Sequence, residues 1–137
     1  MIDDVILNKT EIVKKCIGRV KEEYDGSPKN LENYTKQDSI TLNIQRACEA
    51  VIDLGMHVIA EKSLGIPQMS RDTFEILQDN KIITPEMSER LKAMIGFRNI
   101  AIHNYQSLNL KIIQAIIEKD MEDLLSFTDV ILKIQEK

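Results

Sequence analysis

Arg98, His103 and Tyr105 fall within eight residues of one otherwise apolar segment, Gly96-Phe97-Arg98-Asn99-Ile100-Ala101-Ile102-His103-Asn104-Tyr105. A guanidinium can hold a phosphate through two parallel hydrogen bonds and stabilise negative charge as it develops there. An imidazole can accept and return a proton near neutral pH. A tyrosine hydroxyl adds an orienting donor. Together these groups suffice for RNA cleavage without a metal: the substrate's 2′-hydroxyl attacks its own 3′-phosphate, leaving a 2′,3′-cyclic phosphate and a free 5′-hydroxyl. Because the substrate supplies the nucleophile, no activated serine or cysteine is needed.

The segment also breaks its own pattern. Met87, Leu91, Met94 and Ile95 recur at the three-and-four spacing of an amphipathic helix, and continuing the count reaches Arg98 and then Ile102. A permanent charge in an apolar stripe needs a carboxylate, a phosphate or a wet cleft, since burying it unpaired is very costly. Conflicts of this kind are where function is expected. On an ideal helix at about 100° per residue, Arg98 and Tyr105 project on one face and His103 lies about 140° from Arg98. An unbroken helix does not converge them. Either the helix unwinds near His103, as the polar run from Asn104 to Asn109 permits, or two copies meet across a twofold axis to form a composite site. Both are expected to contribute.

The elements that must position this segment are legible as helices. Ile2, Val5, Ile12, Val13, Cys16, Ile17, Val20 and Tyr24 predict a first helix from about Ile2 to Tyr24, stopped by Asp25-Gly26-Ser27-Pro28. A loop is expected to about Tyr34. The second helix is predicted to start near Lys36 or Gln37, with Ile40, Ile44, Ala47, Cys48, Val51, Leu54, Gly55 and Val58 on one stripe. Ser63, Gly65 and Pro67 end it, and Gly55 permits close approach of a neighbour. Ser70 is read as the cap of a short third helix burying Phe74 and Leu77 and ending at Asp79-Asn80. Thr84-Pro85 starts the fourth helix, which carries the motif. Asn109 caps a last helix with Ile113, Ile116, Ile117, Leu124, Phe127, Ile131 and Ile134 inward. The expected fold is all-α, an antiparallel bundle of four main helices plus one short helix, and residues 1–137 read as one domain.

Composition narrows the function. A formal net charge of −4 argues against a broad non-specific grip on nucleic acid, although Arg90, Lys92, Arg98 and Lys111 outnumber Glu86 and Glu89 around the motif. With 4% aromatic residues and no tryptophan, an extended stacking platform is not expected. Any nucleic-acid contact should therefore be short and centred on a site. Cys16 and Cys48 sit at apolar helix positions without zinc-site spacing and read as small buried residues. The acidic start Met1-Ile2-Asp3-Asp4 and the lack of a long apolar run point to a cytoplasmic protein without a membrane span, a compartment that argues against a disulfide. No cofactor or metal is expected. Asp53 and His57, one turn apart on the second helix, read as a satisfied surface pair and are kept only as candidate wall residues.

Gly96-Phe97-Arg98-Asn99 followed by His103-Asn104-Tyr105 resembles the Arg-Asn-x-x-x-His-x-Tyr signature of the HEPN superfamily, in particular the HepT-like toxins paired with minimal nucleotidyltransferase antitoxins. The resemblance extends through most of the chain: the length, the long second helix, the short third one and the signature late in the fourth. It implies the toxin of a type VII-like toxin-antitoxin system, a homodimer whose motif-bearing helices line a cleft, and a metal-independent endoribonuclease acting there on RNA. Carried over, Arg98 would bind the scissile phosphate and His103 would act as general acid or base. Asn99 and Tyr105 would orient site and substrate. The resemblance also implies that the nucleotidyltransferase antitoxin neutralises the toxin by AMPylation of Tyr105. Two further readings stand beside it. One is a non-catalytic helical subunit that binds a minimal nucleotidyltransferase, and the other a dimeric scaffold in which Arg98 pairs with an acid such as Asp53.

Overall fold

The computed structural model describes the backbone of residues 3–103 and 109–135, with side chains for all of these except 101–103. Every regular element among them is helical. Helix α1 (Asp4–Tyr24) starts where the Asp3 carboxylate accepts from the Val5 amide at 2.7 Å. It stops where Asp25 and Gly26 adopt left-handed φ values of 50° and 70°. The expected loop is more ordered than its composition suggests. Pro28 opens a 3₁₀ turn (Pro28–Glu32) whose Leu31 is buried, and Asn30 Nδ2 ties it to the Tyr24 carbonyl at 2.7 Å.

Helix α2 (Tyr34–Glu61) begins two or three residues earlier than the apolar stripe indicates. The Asn33 side chain accepts from the Lys36 amide at 3.0 Å, so a polar cap ahead of the stripe sets the boundary. Helix α3 is Ser70–Asp79, and here the expected cap is wrong. Ser70 is the first helical residue, and the Asp72 carboxylate instead accepts from the Gln68 and Met69 amides at 3.0 and 3.1 Å. An ionised acceptor takes those donors more strongly than a hydroxyl does, which frees the Ser70 hydroxyl. Helix α4 (Pro85–His103) starts as expected, with Thr84 Oγ1 accepting from the Met87 amide at 3.1 Å.

The last helix is divided into three parts where one was expected: α5 (Leu110–Ala115), a π-helical turn (Ile116–Asp120) and α6 (Met121–Gln135). Asn109 caps it, accepting from the Lys111 amide at 2.9 Å. The π turn has a packing reason. Ile116 and Met121 are both buried, a five-residue step that only a wider turn keeps on one face. Ile117 and Ile134, expected inward, are partly buried against the core.

Helices α1, α2, α4 and α6 close around one apolar core, with α1 against α2 and α6, α4 against α2 and α6, and α3 packed on α2 and α4. All eight expected α2 stripe residues are buried. On α1, Val5 is 42% exposed and Ile6 takes its place, because the inward register runs through Thr10, which apolarity alone passes over. Phe74 and Phe127 meet edge to face at 5.8 Å between ring centres. At the end of α1, buried Tyr24 donates to the Glu118 carboxylate in the π turn, and burial, reinforced by that acid, pushes its pKa up to about 12. That bond contributes fully below pH 10, the ordinary tyrosine value, and is lost as the pH rises through about 12. Cys16 and Cys48 are buried free thiols. Among the described residues, no helix is long and apolar enough to cross a membrane.

Gly55 is where α3 comes closest. A Cβ placed there would lie 2.7 Å from Thr73 Cγ2, and Thr73 is a fully buried β-branched residue with no room to move. Gly55→Val should therefore destabilise the chain by roughly 2–3 kcal/mol through overpacking, read as a lower urea midpoint at unchanged slope.

Candidate active site

Gly96 to His103 of the motif form the last two turns of α4. Inward, Met94, Ile95 and Phe97 are buried and fix the rotation of the helix. The Lys92 ammonium holds Glu75 of α3 at 3.2 Å, and Arg90 meets Asp123 of α6 at 3.5 Å. Such pairs are worth little in stability, yet they set register. Burial raises the Asp123 pKa while Arg90 opposes the rise. The Met94 carbonyl, one turn before Arg98, accepts from the Cys48 thiol of α2 at 3.8 Å. Burial pushes that thiol up to about 12, and the Arg98 charge opposes the rise.

Arg98 is half-buried. One terminal nitrogen, Nη2, donates to Asn99 Oδ1 at 3.0 Å and to Ser70 Oγ at 3.4 Å, while its Nε is buried without a partner. No carboxylate among the described residues lies within ion-pairing distance of it. The charge expected to need an anion is thus steered by two neutral oxygens and, among the described residues, neutralised by no acid. A half-buried guanidinium steered this way suits a phosphate arriving from outside at its exposed end. Around it the surface is open and apolar: Gly96 has nothing within 4 Å of where a Cβ would stand, Ile100 is 48% exposed and Met69, beside Ser70, is 64% exposed.

The structure brings Arg98 and Asn99 together and adds Ser70, which the sequence pattern assigns to capping. No local signal could have found it, since its partner is 28 residues away. Helix α4 runs unbroken through His103, so the backbone carries Arg98 and His103 in directions about 140° apart. The His103 imidazole, Tyr105 and the run after His103 lie outside the described residues.

Asp53 and His57 are not the pair that their spacing suggests. Asp53 binds Lys9 of α1 at 3.1 Å, and His57 Nε2 meets Asp3 at 3.1 Å and Glu61 at 3.8 Å. The α1 partners reach them first because α1 packs along that side of α2. The scaffold reading in which Asp53 neutralises Arg98 is therefore incorrect. Asp3, His57 and Glu61 place three potential ligand atoms within 4.8 Å of one another, but Asp3 already accepts from Val5 and His57. His57 lowers the Asp3 pKa, so this contact contributes above pH 3.8 and weakens as the pH falls through the depressed value.

A family model described as ribonuclease HepT-like matches residues 7–131. The chain is 45% identical over 130 residues to a protein of Shewanella oneidensis named mRNA nuclease HepT, covering 95% of this chain and 98% of that one. Among solved structures it resembles a tri-AMPylated Shewanella oneidensis HEPN toxin in complex with MNT antitoxin. There the TM-score is 0.91 at 44% identity, over 96% of this chain and 99% of the other. A toxin-antitoxin crystal structure with AMP-PNP matches with a TM-score of 0.90 at 45% identity, over 96% and 99% of the two chains.

Proposed function

The chain belongs to the HepT-like ribonuclease family, and from that premise we propose that it is a toxin endoribonuclease whose metal-independent chemistry centres on Arg98 and His103. The observation that carries this reading is the Arg98 guanidinium, held in place by Asn99 and Ser70 and paired with no acid among the described residues. It is a preorganised anion site at the end of a rigid helix. A scissile phosphate bound there gains stabilisation as its charge grows. His103 takes the proton from the 2′-hydroxyl or returns one to the leaving 5′-oxygen, and Tyr105 orients the strand.

The site is completed by a second copy. On the unbroken α4 helix Arg98 and His103 diverge, and the apolar, open surface of Gly96, Ile100 and Met69 suits the approach of another α4. In the resulting homodimer, Arg98 of one protomer faces His103 of its partner across the cleft. A nucleotidyltransferase antitoxin regulates it, as the complex of the tri-AMPylated Shewanella oneidensis toxin with its MNT antitoxin supports. The acceptor is the Tyr105 hydroxyl, which attacks the α-phosphate of ATP and releases pyrophosphate. The attached AMP adds negative charge and bulk beside Arg98 and shuts RNA out.

Incubation of the purified chain with RNA in EDTA tests the activity. Products ending in 2′,3′-cyclic phosphate and 5′-hydroxyl are expected, and intact RNA with a tightly bound nucleotidyltransferase would favour the non-catalytic subunit instead. Ser70→Ala should lower kcat about three- to tenfold with KM nearly unchanged, since one weak hydrogen bond to a charged group is removed and Asn99 still steers Arg98.

A further inference from the structure

The groove between α1 and α2 contains a cleft of about 390 Å³ lined by Lys15, Cys16, Arg19, Asn43 and Arg46. Lys15 and Arg19 stand one turn apart on α1, and Arg46 reaches in from α2. None of the three cations makes an ion pair among the described residues, whereas Lys9, Lys21, Arg90 and Lys92 all do. Among the described residues the nearby acids do not pair with them: Asp53 is engaged by Lys9, and Glu11, Glu23 and Glu49, each about one helical turn from a cation, form no ion pair with them. In a chain of net charge −4, three cations and no acid among the described residues lining one cleft make it locally positive. The other polar group has the opposite character. Asn43 is only 7% exposed, and its side-chain nitrogen donates to the Ser39 carbonyl at 2.8 Å and the Ser39 hydroxyl at 3.4 Å. Its amide oxygen is left as an acceptor.

Three cations beside one fixed acceptor match a particular chemistry, and we propose that this cleft binds a ribose-phosphate unit of single-stranded RNA. The cations hold a phosphate, and the Asn43 oxygen accepts from a ribose hydroxyl, an interaction that DNA lacks at the 2′ position. The inference rests on the RNA-cleaving function proposed above and gives it a second point of substrate contact. Its position is suitable. Arg46 and Cys48 are two residues apart on α2, so they differ in height by about 3 Å, and Cys48 touches the turn of α4 that leads into Arg98. Cleft and motif thus lie on opposite sides of α2, at least about a helix diameter of 10–12 Å apart. A strand cleaved at Arg98 that continues around α2 can rest a phosphate further along its backbone here, which supplies the grip that the acidic remainder of the surface does not.

The test is a Lys15→Ala/Arg19→Ala/Arg46→Ala variant, whose three positions are exposed and whose folding is checked by its thermal midpoint. With a long single-stranded RNA, KM should rise about tenfold or more, and the dependence of log kcat/KM on log salt should flatten by about 0.7 for each phosphate that the variant no longer neutralises. With a dinucleotide that spans only the scissile phosphate, kcat should not change. Equal KM and equal salt slope for variant and wild type on the long RNA would overturn the proposal. Absence of cleavage by the wild type, on either substrate, counts against the nuclease reading alone. In that case the cleft is judged by fluorescence anisotropy with the same RNA, where saturable wild-type binding that disappears in the variant supports it and equal binding refutes it.

Discussion

Arg98→Ala is expected to lower kcat for RNA cleavage by about 10²–10³-fold and to abolish growth arrest, while the thermal midpoint hardly moves. The size follows from the role: removing one preorganised donor group from a site of developing negative charge costs about that factor. The unchanged midpoint follows from the surroundings. An arginine neutralised by a buried carboxylate would leave an unpaired charge behind on removal, at a cost of roughly 3–5 kcal/mol. Arg98 has no such partner among the described residues, and its Nε is a buried donor that already lacks an acceptor. Arg98→Lys keeps the charge but loses the planar fork, so it should recover only part of the rate. A large loss of stability with Arg98→Ala, or normal cleavage, would show that the residue is structural.

Tyr105→Phe is expected to abolish antitoxin-dependent incorporation of AMP and to leave the toxin uncontrolled. Its own cleavage rate should fall by no more than about tenfold, since one neutral hydrogen bond contributes about 0.5–1.5 kcal/mol. If activity and control meet at this hydroxyl as proposed, they separate in this variant. Transfer of label from ATP, measured with antitoxin present, reads one effect, and survival of cells that express both proteins reads the other. Labelling of Tyr105→Phe at the wild-type level would place the modification on another residue.

Much of this fold is legible in the sequence because its signals are local. Thr84-Pro85 and Asn109 announce helix starts, and both act as caps in the structure. The α2 stripe from Ile40 to Val58 is buried throughout, and Gly55 admits α3 as its missing side chain suggests. Where the pattern misleads, the deciding interaction is long-range or polar. Thr10 carries the inward register of α1 although it is not apolar, and the π turn at Ile116–Asp120 follows from packing that no residue type announces. Asp53 and His57 are helical neighbours, but Lys9 of α1 and Asp3, which caps that helix, capture them.

The candidate site divides the same way. Arg98 stands out from the sequence because a charge in an apolar stripe contradicts its surroundings, and the structure gives that contradiction the expected form, a cation with no acid among the described residues. Ser70 is invisible there, since only the packing of α3 on α4 brings it to the guanidinium. Lys15, Arg19 and Arg46 escape notice for a related reason. Spread over two helices, they form no motif, and only the folded α1/α2 groove gathers them.

If each chain carries half of a site, Arg98 of one protomer acts with His103 of the other. Mixing Arg98→Ala with His103→Ala, each inactive alone, under conditions that allow subunits to exchange, tests this directly. Random pairing makes about half of the dimers mixed, and each mixed dimer holds one intact pairing, so roughly a quarter of wild-type RNA cleavage should return. If the two inactive variants exchange subunits and the mixture stays inactive, Arg98 and His103 act within one chain and the composite site is wrong.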